Sequence, residues 1–395
     1  MGRANTSEPD LAPALAILER LVAFDTTSSR SNLALIEWVA DYLRGHGIAS
    51  ALSGEREPGK ANLFATIGPG ERGGVVLSGH TDVVPVDGQD WTSDPFRLSE
   101  RDGRLYARGS ADMKGFIALA LALVPQALRR RLRRPLHLAL THDEETGCLG
   151  APALIAALPH GAPRPALAIV GEPTLMQVAN AQKGCAFFRT HVHGREGHSS
   201  APGRGVNAIA AAAEIVSLIV RLGAEAASRA RPDSGFDPPH TTLSVGTIAG
   251  GTAVNIIARD CTFTWDLRAL PGDDDAALKA RIDEFVAADL LPRLRAVYPG
   301  AAVETETLVA VPPLVPVRDS PAEALARQLT GLNDTVTVSF ASEAGLYQQA
   351  GIPAVICGPG SIEVAHKPDE YISRDELAAG WRFQQRLLDW LETAA

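Results

Sequence analysis

The chain has 395 residues, 46% of them apolar and 21% charged, with a formal net charge of −9. That length leaves room for two domains of about 100–200 residues each. The acidic balance gives no electrostatic footprint for nucleic acid, and neither a signal-peptide core nor an 18-residue apolar run points to a membrane.

The first helix is expected from about Asp10 to Phe24, with Asp10 as N-cap, Pro13 in its first turn and Leu15, Leu18 and Val22 in one stripe. A second follows from Ser31 to Gly45. Short apolar strands then alternate with helices: a strand at Gly74–Ser78, a helix at Met113–Arg131, and strands at Leu136–Thr141 and Ala166–Val170. A strand at Ala354–Cys357 and a helix from about Asp375 close the chain. Such alternation predicts an α/β fold with a mostly parallel central sheet and helices on both faces. The basic run Arg129–Arg134 precedes Pro135 and reads as a helix end complementing the helix dipole.

The middle of the chain has another rhythm. Strands are expected at Cys185–Val192, Thr241–Thr247, Cys261–Leu267 and Val303–Val309, with helices at Val206–Leu222 and Ala276–Leu290. The order β-α-β-β-α-β is that of a ferredoxin-like α+β module. It predicts an inserted domain at residues 184–312, with a catalytic domain split into 1–183 and 313–395. The stretch Arg229–His240 reads as a mobile loop. Cys148, Cys185, Cys261 and Cys357 share no CxxC spacing and read as buried thiols of a reducing, cytoplasmic compartment. Gly2 and Thr6 fit a loose N-myristoylation pattern, which is too short to carry an assignment.

Acidic and histidine residues gather just past the carboxyl ends of the expected strands. His80 and Asp82 follow one, Glu144 and Glu145 the next, Glu172 a third, and His366 the last. Asp112 opens the long helix. Open α/β sheets bind ligands along that edge. His80, Asp112, Glu145, Glu172 and His366 suit two divalent ions. If one carboxylate bridges, each ion receives a histidine, a terminal carboxylate and half the bridge. Ligation without thiolate favours zinc, with cobalt or manganese tolerated. Two neighbouring acids cannot both aim at one ion, so either Glu144 or Glu145 is free to act as a general base. Asp82, two residues beyond His80 in an extended segment, can accept a hydrogen bond from the imidazole and fix its tautomer. His191 and His193 have strand spacing but read as exposed strand residues.

The segments GHTDVVP, GRLYARGSADMKG, DEETG, GEPT, GHSSAPGRGVNAI and GPGSIEVAHKPDEY resemble the dinuclear zinc deacylases and carboxypeptidases, in order and over nearly the whole chain. The resemblance implies hydrolysis of an N-acyl amino acid by two zinc ions per subunit, with cobalt as a possible substitute. It assigns Asp112 as the bridge, followed by a cis peptide, and Glu144 as the base. It also implies a homodimer formed through the inserted domain, with His198 reaching the partner's site to stabilise the oxyanion. Arg268 and Asn255 match residues that hold the substrate carboxylate. FASEAG, with Glu343, is most similar to the branch whose substrate has a cationic side chain, which an extra acid would suit. Desuccinylases place an aspartate there, and they and other N-acyl amino acid deacylases are the nearest alternatives.

Overall fold

The computed structural model describes residues 9–54, 59–70, 73–158 and 164–393. Gly2 and Thr6 lie outside them. The chain divides into two compact units. One comprises residues 1–181, 316–336 and 342–395, and the other 182–315 and 337–341.

The first unit is built on an eight-stranded sheet. Its four neighbouring strands Leu136–Thr141, Val75–His80, Leu167–Pro173 and Ala354–Gly358 are parallel. Ser50–Ser53 and Asn62–Ile67 extend one side antiparallel, and Ala179–Gln182 and Val336–Val338 follow on the other. Every residue of the four parallel strands is buried, so both faces are covered. Val75, Leu77, Leu138, Ile169 and Val355 face a core shared with helices Ala12–Val22, Gly115–Arg129 and Arg374–Glu392. Val76, Ala139, Val170 and Ile356 alternate with them and are buried on the opposite side. Helices Ala151–Ala157 and Ala344–Gln349 pack on that side.

The segment Ser110–Arg129 is, against expectation, long and apolar enough by length and composition to cross a membrane, but 83% of its most apolar window is buried within the fold. It is the central core helix, which explains an apolar surface all round. Its first turn is irregular: Asp112 and Met113 leave helical geometry, and the peptide bond between them is cis. The last helix starts with a capping box between Ser373 and Glu376. A small sheet of Ser99–Arg101, Arg104–Tyr106 and Tyr371–Ser373 pairs Tyr371 with Tyr106.

The second unit is a four-stranded antiparallel sheet in the order Thr242–Gly250, Asp260–Arg268, Cys185–His193, Ala302–Val311. In sequence numbering that order is 2-3-1-4, the ferredoxin-like arrangement. Helix Ala208–Ser228, capped by Asn207, packs Ile215, Ile219 and Leu222 against Phe188, Phe263 and Trp265. The second helix is not continuous: Asp275–Phe285 passes through a wide turn into Leu291–Val297. The loop Arg229–His240 is pinned, contrary to expectation. Arg231 N donates to Pro239 O at 2.7 Å, and the buried Lys183 ammonium donates to the carbonyls of Pro238 and His240.

Candidate metal centre

Strand Val75–His80 delivers His80 at its carboxyl end, and Leu167–Pro173 delivers Glu172. Asp112 hangs from the irregular turn before the core helix. Glu145 follows strand Leu136–Thr141 in a loop, and His366 sits in a loop after Ala354–Gly358 with a left-handed backbone, φ 63°. These five expected ligands form two groups of three that share Asp112: His80, Asp112 and Glu172, and Asp112, Glu145 and His366.

The shared carboxylate points one oxygen at each group. Asp112 Oδ1 is 3.0 Å from His80 Nε2, and Oδ2 is 3.1 Å from His366 Nε2. Glu145 Oε2 is 3.0 Å from His366 Nε2, and Glu172 Oε1 is 4.0 Å from His80 Nε2. Two ligands about 2.1 Å from one tetrahedral ion lie about 3.4 Å apart, so these spacings bracket what a divalent ion requires. Glu172 Oε1 is buried without a hydrogen-bond partner, as an atom awaiting a cation would be. The donor set of imidazole and carboxylate therefore fits two ions.

The electrostatics agree. Burial pushes the carboxyls of Glu144 and Glu172 well above the usual range, and the Asp112 charge adds to both. Burial and then the Asp112 charge raise Glu145 to about 7. Hydrogen bonds to Asp112 and Glu145 lift His366 to about 10. Three acids crowded out of water take up protons for want of a stronger positive charge, which divalent cations supply, while, despite burial, hydrogen bonds from His366 and His80 hold Asp112 below the usual carboxylate range.

Asp82 acts through different atoms than the sequence suggests. His80 Nδ1 donates to the main-chain carbonyl of Asp82 at 2.9 Å, with the carboxylate 3.7 Å away. That bond fixes the tautomer and leaves Nε2 facing the site. The Asp82 carboxylate is instead occupied by Glu144 N, Glu145 N and Ser28 Oγ, at 3.1, 3.3 and 2.7 Å. It thus orients the Glu144–Glu145 pair. Glu144 Oε1 accepts a hydrogen bond from the buried Cys148 thiol at 3.4 Å.

Glu343 is buried against the sheet. Its side chain caps no helix, and it is 1% exposed, with Oε2 accepting from Ser78 Oγ at 2.9 Å. Ser78 also meets Tyr347 Oη at 3.1 Å. The acid therefore faces the sheet two residues before His80. Local motif reading cannot show burial of this kind.

His198, Asn255 and Arg268 belong to the second unit. Two loops pair there, Ser199 N donating to Asn255 O at 3.0 Å and Ile257 N to Gly197 O at 2.8 Å. They bring His198 and Asn255 together, both exposed. Arg268 ends strand Asp260–Arg268, half-buried over the Phe187 ring and 3.3 Å from Asp266. His191 and His193 both turn to Asp260, at 3.4 and 2.8 Å, on the partly exposed face of the sheet. All four cysteines are buried.

Sequence reasoning missed Arg108, Glu370 and the buried Lys60–Asp143 ion pair beside Glu144. Arg108 and Glu370 lie inside two recognisable motifs, yet nothing in either motif says that they meet.

A parallel sheet carrying at its carboxyl edge two ligand groups joined by one aspartate defines a metal-dependent hydrolase. The pattern of peptidase family M20/M25/M40 matches residues 76–390, and the chain belongs to that family. Acetylornithine deacetylase of Pasteurella multocida is 36% identical over 371 residues, 91% of this chain and 93% of that protein. The enzyme of the same name from Myxococcus xanthus is 38% identical over 385 residues, 93% and 95% of the two chains. Among solved structures, aminopeptidase PepT of Bacillus cereus superposes with a TM-score of 0.72 at 19% identity, covering 98% of this chain and 100% of its own. A dinuclear metal-binding M20 peptidase from Bacillus subtilis gives 0.64 at 18% identity, with 98% and 100% covered.

Proposed function

We propose that the chain hydrolyses N-acetylornithine to ornithine and acetate, a step of arginine biosynthesis, as a cytoplasmic homodimer with two zinc ions per subunit. Cobalt is the expected substitute. The observation that carries the chemistry is the Asp112 carboxylate, with one oxygen toward His80 and the other toward His366. The substrate rests on relatives that are 36% and 38% identical over more than nine-tenths of the chain.

Bound zinc would polarise the amide carbonyl and lower the pKa of water from about 15.7 to about 7. His80, Asp112 and Glu172 would hold one ion, and Asp112, Glu145 and His366 the other. Glu144, next to the ligand Glu145 and made basic by burial, takes a proton from the attacking water. It then passes that proton to the leaving amine. His198 donates to the tetrahedral oxyanion from the partner subunit, on the strength of the family resemblance. Arg268 and Asn255 hold the α-carboxylate, for which a guanidinium fork suits two parallel hydrogen bonds.

A panel of N-acyl amino acids assayed with zinc or cobalt tests the substrate. N-acetylornithine is expected to give the highest kcat/KM. A higher value for a succinylated or aromatic substrate overturns the assignment. Mixing inactive Glu144→Gln and His198→Ala proteins tests the shared site. Activity should return to at most half of the sites in each mixed dimer. Subunit exchange shown by tagged pull-down without recovery removes His198 from the partner's site.

A further inference from the structure

The two ligand groups are not supported alike. His80 and Glu172 stand on strand ends, whereas Asp112 and His366 hang from irregular backbone. Something has to hold those two loops at one spacing, and a single buried side chain is placed to do it.

Glu370 is 1% exposed. Its Oε1 accepts from Ala111 N at 2.9 Å and Asp112 N at 3.1 Å. Its Oε2 accepts from Gly109 N at 3.0 Å and Arg108 Nη1 at 2.7 Å. One carboxylate thus gathers three amides of the turn that presents Asp112, an anion in a concave nest of backbone N–H groups. Gly109 is required there: its φ is 80°, and a Cβ would lie 2.7 Å from Val83 Cγ1. The pairing of Tyr371 with Tyr106 sets Glu370 beside Ala107, whose N–H donates to Glu370 O at 3.1 Å.

Arg108, also 1% exposed, carries the network onward. Its guanidinium donates to Gln89 Oε1 and to Lys367 O. Gln89 Nε2 in turn donates to His366 O at 2.9 Å. The chain of bonds therefore runs from the Asp112 amide through Glu370, Arg108 and Gln89 to the His366 carbonyl.

We propose that Glu370, with Arg108 and Gln89, is a positioning clamp that fixes the spacing of Asp112 and His366 and so sets the metal affinity of their half of the centre. None of the three touches a metal position; they act through the backbone of ligands that do. The inference rests on the two-metal reading above. Glutamine at 370 keeps the size of the side chain but turns an amide donor toward N–H donors, so at least one bond of the nest is lost.

The test is a zinc titration of metal-depleted protein against a chromophoric chelator, with visible spectra of the cobalt-loaded form alongside. Wild type should bind two ions. Glu370→Gln and Gln89→Ala should each weaken one ion by about 10–100-fold, the range for groups that orient ligands. In Gln89→Ala, which leaves the turn of the shared Asp112 untouched, the other ion should stay within about threefold and only one cobalt spectrum should change. Gln89 is half-buried and its truncation spares the nest, so it decides the matter if Glu370→Gln does not fold. Two wild-type affinities in Gln89→Ala and in a folded Glu370→Gln overturn the clamp. Fewer than two ions in the wild type overturns the two-metal reading itself, and the clamp with it.

Discussion

His80 and His366 face opposite oxygens of one aspartate from very different settings. The His80 side chain is 1% exposed and rides on a central parallel strand, while His366 is 50% exposed and sits in a loop. Their partners follow suit: Glu172 is buried on a strand, and Glu145 lies in the turn after Thr141. A ligand on a strand is held by the ladder of its neighbours. A ligand on a loop must be held by side chains. On the reading proposed above, His80 and Glu172 of the closed half are held by the sheet, and the open half is held through the Glu370 network and Asp82. The open half is also the more exposed of the two at its histidine, so support and exposure pull against each other there.

The largest effect should come from the group both halves serve. Glu144→Gln is expected to lower kcat by about 10²–10⁴-fold while both metal equivalents remain, measured by steady-state kinetics and elemental analysis on the same sample. Near-normal turnover would remove Glu144 from catalysis. Next come the ligands. Asp112→Ala should lose metal from both halves, whereas His366→Ala should empty the open half and leave the closed one filled. Two full equivalents in Asp112→Ala would mean that the halves are not joined by that carboxylate.

A smaller effect concerns the underside of the closed half. Glu343 bonds Ser78, two residues before His80, and is sealed from solvent. Glu343→Gln should therefore lower activity by about tenfold or less, and equally for N-acetylornithine and N-acetylmethionine. A KM increase confined to N-acetylornithine would instead place this acid at the substrate's ammonium group.

The strand-end half of the centre was legible in the sequence because strand ends are. Leu136–Thr141 has the limits its apolar run predicts, and His80 and Glu172 close runs of the same kind. The loop ligands were legible through motifs, as was the cis peptide after Asp112, which only the family resemblance suggested. Contacts between segments far apart in sequence left no such trace. Glu370 meets Asp112 across 258 residues, and Glu343 meets Ser78 across 265. No local periodicity encodes a meeting of that kind. The short strands Ser99–Arg101, Arg104–Tyr106 and Tyr371–Ser373, at three residues each, are likewise too brief to show a period, yet they set Glu370 in place.

The central claim is that one aspartate joins two ion positions of unequal build. Anomalous scattering from a zinc-soaked crystal, collected on both sides of the zinc absorption edge, tests it most directly. Two peaks are expected, one on each side of the Asp112 carboxylate, with the peak beside His80 and Glu172 at least as strong as the one beside Glu145 and His366. A single peak, or two peaks not separated by Asp112, would contradict it.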